Sequence, residues 1–71
     1  MTWATSVFNY HKERGHVKKV GTAYFRNGLR HMSRALWYDK ELDEYYVFVN
    51  GNVWNFRIDG TNEDGSYYGF I

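Results

Sequence analysis

Apolar and polar positions alternate through most of the chain, most cleanly around Asn50-Gly51. On either side stand Glu44–Val49 and Asn52–Ile58, two runs rich in β-branched and aromatic residues. Such runs around Asn-Gly predict a β-hairpin, because a type I′ turn needs positive φ at both central residues and these two tolerate it best. A two-residue turn sets the register: Val49 opposite Asn52, Phe48 opposite Val53, Val47 opposite Trp54, Tyr46 opposite Asn55, Tyr45 opposite Phe56 and Glu44 opposite Arg57. Directly opposed residues share a face. Tyr45, Val47, Val49, Trp54, Phe56 and Ile58 therefore form a core face, with Tyr46, Phe48, Val53 and Asn55 on a half-wet one.

The same pattern recurs upstream. His16–Arg26 alternates, Asn27-Gly28 is a second turn dipeptide, and Leu29–Tyr38 returns. With Asn27 and Gly28 central, Tyr24 opposes His31, Thr22 opposes Ser33, Val20 opposes Ala35 and Lys18 opposes Trp37. The small residues Gly21, Ala23 and Ala35 predict close packing or a bend. Asp39–Asp43 is a charged reversal, and residues 59–66 are turn chemistry throughout. Tyr67–Ile71, with two large apolar residues at its end, reads as a last short strand docked in the sheet.

Residues 2–14 admit two readings. As a helix, Trp3, Val7, Tyr10 and Arg14 stack on one face and Gly15 follows the C-terminus. As a strand, the β-branched and aromatic content of Thr2–Tyr10 is favourable, and this reading is preferred. The fold expected is all-β: one domain over 1–71, an antiparallel meander of about six short strands that can curl into a small barrel and so remove exposed edges.

The fifteen aromatic residues sharpen this picture. A chain this short buries only about 60% of its unfolded surface. Some rings must stay outside, tyrosines first, because the hydroxyl prefers water or a partner. With no cysteine, neither a disulfide nor a thiolate metal site is available, which fits a reducing compartment. No signal-peptide pattern stands at the start, and the longest apolar run, Tyr45–Val49, is far too short for a membrane helix. The expectation is a soluble, cytoplasmic protein.

Charge is unevenly spread. Residues 1–34 carry +6 and residues 35–71 carry −5, for a net charge of +1. Opposite halves imply either mutual neutralisation between neighbouring strands, the simpler account, or a dipolar surface used for binding.

Little of the remaining chemistry is catalytic. Asp39-Lys40-Glu41-Leu42-Asp43 starts like a calcium loop but has Glu44 and Asn50 where that loop needs Gly and Glu; Gly60–Gly65 lacks the first ligand. Both read as solvated turns. His11, His16 and His31 include two that bracket a turn, but no thiolate or close carboxylate pair accompanies them, so no metal is assigned. Ser6, Ser33 and Ser66 lie in no nucleophile motif, and no phosphate loop is present. The chain is not expected to be an enzyme or to hold a cofactor.

Two binding readings survive. Trp37, Tyr46, Phe48, Tyr67 and Tyr68 form a candidate patch for a protein partner, since interfaces are enriched in such rings. Free strand edges could extend that contact or make a homo-oligomer. A small protein without a pocket acts most simply by occupying a surface, as an accessory protein, regulator or inhibitor, and this reading is preferred. The alternative is a single-stranded DNA or RNA binder using Lys18, Lys19, Tyr24, Arg26, Arg30, His31 and Arg34, with rings for stacking and cations for phosphates. The expected register divides those cations between two faces, which weakens it.

Overall fold

The computed structural model describes residues 2–71. A helix, α1 (Trp3–Glu13), precedes five strands: β1 (Val17–Asn27), β2 (Arg30–Asp39), β3 (Glu44–Val49), β4 (Asn52–Thr61) and β5 (Tyr67–Phe70). The strands close into a barrel in chain order. Consecutive strands are antiparallel, and an odd number of alternating strands brings the first and last into the same direction. The closing seam is therefore parallel, with Ala23 and Tyr24 against Tyr67 and Tyr68.

The first element is a helix and not a strand, so the meander has five strands instead of six. Thr2 caps it: its hydroxyl accepts the Thr5 N–H at 3.2 Å, satisfying one of the orphan donors of the first turn. His11 and Lys12 occupy the last turn, and the Gly15 N–H closes on the Lys12 carbonyl at 3.0 Å. The buried face is Ala4, Phe8 and His11, spaced for a helix, together with Thr5. Trp3 and Tyr10, which the helical reading stacks on one face, are exposed. Local β preference loses because burial at positions 4, 8 and 11 outweighs propensities of under 1 kcal/mol per residue.

The helix lies on the hairpin face that the pattern marks as half wet. Phe8 meets the rings of Phe48, Tyr46 and Trp37 edge-on, with centroids 5.0, 5.5 and 5.7 Å away. Val53 lies beneath the same helix and donates its N–H to Thr5 Oγ1 at 2.8 Å. Two cores result. One fills the barrel with Ala23, Phe25, Met32, Leu36, Val47, Val49 and Phe56; the other joins Ala4, Phe8, Tyr46 and Val53 outside it.

The central hairpin has the expected register from Val49–Asn52 to Tyr45–Phe56, with Asn50 and Gly51 at φ 51° and 80°. Trp54, opposite the buried Val47, shares the parity of the core face but is 40% exposed. Glu44 pairs with Asp39 in the ladder, and Asn55 Nδ2 donates to its carboxylate, while Arg57 pairs with Phe70; the expected Glu44–Arg57 pair is not made.

The first hairpin is shifted from expectation. Asn27 pairs with Arg30 and Phe25 with Met32, so Gly28 and Leu29 are the central residues. Gly28 has φ 66° and Leu29 does not have positive φ, the signature of a type II′ turn with glycine first. The shift sets Phe25 against Met32, both buried, where the expected register set it against Arg30. A bulge between Lys19 and Gly21 then resets the pairing toward Trp37. At the last strand, Gly69 is obligatory: a Cβ there would overlap the Arg57 carbonyl.

Candidate binding surface

β2 and β3 pair only where Trp37, Tyr38 and Asp39 meet Tyr46, Tyr45 and Glu44. Continued, that register would set Leu36 against Val47, Ala35 against Phe48 and Arg34 against Val49, but these pairs do not form. The strands part instead, leaving a groove of about 420 Å³ lined by Lys12, Arg34, Ala35, Trp37 and Phe48. Its rings are held from beneath, since Phe8 contacts both Trp37 and Phe48. The Lys12 ammonium lies 5.3 Å from the Trp37 ring centre, within cation–π range. Arg34 has the strand parity of the inward Met32 and Leu36 yet is exposed, because the gap offers its long side chain a way out. No carboxylate lines the groove.

The outer edge of β2 from Arg30 to Leu36 thus lacks a ladder partner from β3. Closure of the barrel removes most of the free edges the sequence suggested, and this is where one is left. A broader depression of about 510 Å³ on β3 and β4 carries Asp43, Glu44 and Arg57, a mixture of signs that favours neither kind of charged ligand.

Of the residues picked from sequence for a protein partner, the structure brings Trp37 and Phe48 together. Tyr46 must be removed from that patch: it is fully buried under α1, and its hydroxyl donates to Asp39 at 2.9 Å. Burial foremost, and then this bond, hold its hydroxyl pKa well above the ordinary value. Tyr67 is half-buried against the barrel core. Tyr68 is exposed but sits on β5, beside Tyr24 across the seam. Lys12 belonged to neither candidate set; only the helix, which sets it one turn beyond Phe8, brings it here.

The nucleic-acid set fares differently. Lys18, Lys19, Tyr24, Arg26, Arg30, His31 and Arg34 are all exposed on β1 and β2, and no Asp or Glu occurs between Val17 and Tyr38. Among the described residues no Lys or Arg forms an ion pair with a carboxylate; the three ion pairs present all use histidine. Among the described residues, no direct ion pair therefore joins the basic strands to the acidic half.

Those ion pairs mark a second cluster. His11 at the end of α1, His16 before β1 and Glu41 in the β2–β3 turn bring ligand atoms within 4.8 Å of one another. Glu41 Oε2 hydrogen-bonds to Nδ1 of both His11 and His16. Partial desolvation raises the Glu41 pKa, but the bonds and charges of His16 and His11 outweigh it and hold it below the ordinary range. His31, the third histidine weighed with these two, lies apart on β2 opposite Arg26.

No helix among the described residues is long and apolar enough to cross a membrane. Comparison with known families, characterised proteins and solved structures finds no match to the chain.

Proposed function

We propose that the protein is a non-enzymatic binding module that occupies a surface of a protein partner, taking an extended acidic segment of that partner into the groove between β2 and β3. The parting of these two strands carries the reading. It leaves a strand edge with main-chain groups to be satisfied, beside two supported rings and two cations without acidic partners. An added strand gains main-chain hydrogen bonds at such an edge, and adjacent pockets select its side chains. Trp37 and Phe48 supply the apolar contact, while Lys12 and Arg34 favour carboxylates on the incoming segment.

Selection from a displayed peptide library on the immobilised full chain tests this. The expected ligands are extended, acidic and carry an apolar residue, and Arg34→Glu should weaken them by at least about tenfold, a loss of roughly 1.4 kcal/mol. Ligands without acidic residues, or indifferent to Arg34→Glu and Lys12→Glu together, would refute the choice of groove.

One observation favours a second reading, single-stranded nucleic acid: seven exposed cationic or ring side chains on β1 and β2, without a carboxylate on either strand before Asp39. Such binding must weaken steeply with salt, by about 0.7 log units of affinity per log unit of salt for each phosphate neutralised. Absence of oligonucleotide binding at low salt eliminates it.

A further inference from the structure

We infer that His11, His16 and Glu41 form a binding site for one divalent transition-metal ion of the zinc class. The two imidazole Nδ1 atoms and one carboxylate oxygen come from three separate segments and converge on one point. Ligands about 2.1 Å from a single ion stand roughly 3.4 Å apart in a tetrahedron. One ligand atom from each of the three residues lies within 4.8 Å of the other two, with His11 Nδ1 and Glu41 Oε2 3.2 Å apart. Nitrogen and carboxylate oxygen suit zinc, cobalt and nickel better than calcium or magnesium, which prefer all-oxygen sets.

Main-chain bonds hold this convergence in place. The His16 N–H donates to the His11 carbonyl at 3.0 Å, and the Lys40 N–H to the His16 carbonyl at 3.0 Å. The turn bearing Glu41 is tied by Asp39, whose Oδ1 accepts the N–H groups of Glu41 and Leu42 at 3.0 and 3.3 Å. All three ligand-bearing positions are thus fixed by bonds that an ion need not disturb, the support that metal sites require beyond their ligands. Asp39 adds a wholly buried carboxyl whose Oδ2 lies 3.8 Å from His11 Nδ1, favouring a cation at this place.

A simpler arrangement, two imidazoles hydrogen-bonded to one acid, would be served equally well with one ring on each carboxylate oxygen. Here both rings address Oε2. Access is graded as a metal site needs: the side chains of His11, His16 and Glu41 are 11%, 26% and 43% exposed, so an ion enters past Glu41 and meets a sheltered histidine last. Three protein ligands leave the remaining position to water or an exogenous donor.

The test is calorimetric titration of the full chain, free of any polyhistidine tag, with zinc chloride at pH 7.5. One equivalent should bind saturably. His16→Ala and Glu41→Ala should each weaken it by at least about tenfold, as even supporting residues of metal sites do. His31→Ala removes an exposed histidine outside the cluster and should change nothing. Affinity should fall at pH 5, where protons compete for imidazole. No saturable binding, or binding that survives His16→Ala and Glu41→Ala, overturns the site. Should either variant unfold, imidazole ¹⁵N spectra of the unaltered chain decide. Zinc must then move Nδ1 of His11 and His16 and leave His31 in place; unmoved Nδ1 signals overturn the inference equally.

Discussion

The buried carboxyl of Asp39 divides its two oxygens between different tasks. Oδ1 gathers the main chain of the β2–β3 turn, and Oδ2 takes the Tyr46 hydroxyl beneath α1. Tyr46→Phe keeps the ring and leaves Oδ2 without that donor in a buried place, so it should cost about 1–3 kcal/mol, read from urea unfolding. Its pH dependence has a definite sign. Burial and Asp39 raise the folded pKa of Tyr46, so its stabilising contribution is complete below the ordinary value of 10.0 and is lost as pH rises above it. The unaltered chain should therefore lose stability above pH 10 more steeply than Tyr46→Phe does; equal slopes would mean the hydroxyl is not held as described. Glu41 has the opposite sign. Its lowered folded pKa gives stability above the ordinary 4.5 that is lost as pH falls through the folded value, and Glu41→Gln should flatten that acid limb of the unfolding midpoint.

Among the elements, α1 shows where a local pattern stops being informative. The central hairpin is legible because its turn dipeptide and both strands lie within eighteen residues, so register follows from turn chemistry alone. The helix has no such closure: Phe8 is specified by rings on β2 and β3, and Thr5 by the Val53 N–H. Those partners are about 30 to 50 positions away, and only with them present does a short β-prone segment gain from being helical. Asn27-Gly28 fails for another reason. Glycine satisfies a type I′ turn in second place and a type II′ turn in first, and the burial of Met32 against Phe25 makes the choice. Phe8→Ala tests the dependence of the helix on its seat. It should cost about 3–5 kcal/mol, in the range for large buried aromatics, and should expose the buried Tyr46 to solvent. A loss below about 1 kcal/mol in urea unfolding would show that α1 is held mainly by its cap and the Thr5 bond. The candidate groove was half legible by the same logic. Trp37 and Phe48 stand out as rings on wet positions, but the absence of pairing that separates β2 from β3 leaves no local signature. Of the His11, His16 and Glu41 cluster, the sequence shows only two histidines that bracket a turn and assigns them no metal, since Glu41 is brought to them by tertiary structure.

At the scale of the whole molecule, size and closure act together. The Cα envelope measures 32 × 24 × 14 Å, one dimension being little more than a barrel wall and a helix deep. Trp3, Tyr10, Tyr24, Phe48, Trp54, Tyr68 and Phe70 consequently remain exposed, so the supply of rings for contact is real. Closure is also uneven. β1 and β2 pair along nearly their whole length, whereas the seam with β5 and the junction with β3 span two and three residue pairs. Hydrogen exchange should register this directly. In a strand, main-chain groups point alternately to either side. Within His31–Ala35, amides facing β1 should therefore exchange slowly and those facing the gap much faster. An acidic segment added to the edge must slow the fast class by forming ladder bonds with it. An oligonucleotide held by side chains of the basic strands has no such bonds to make and should leave that class unchanged. Uniform slow exchange across His31–Ala35 in the free chain would mean that the two strands are joined in solution, and the groove would then have no edge to offer.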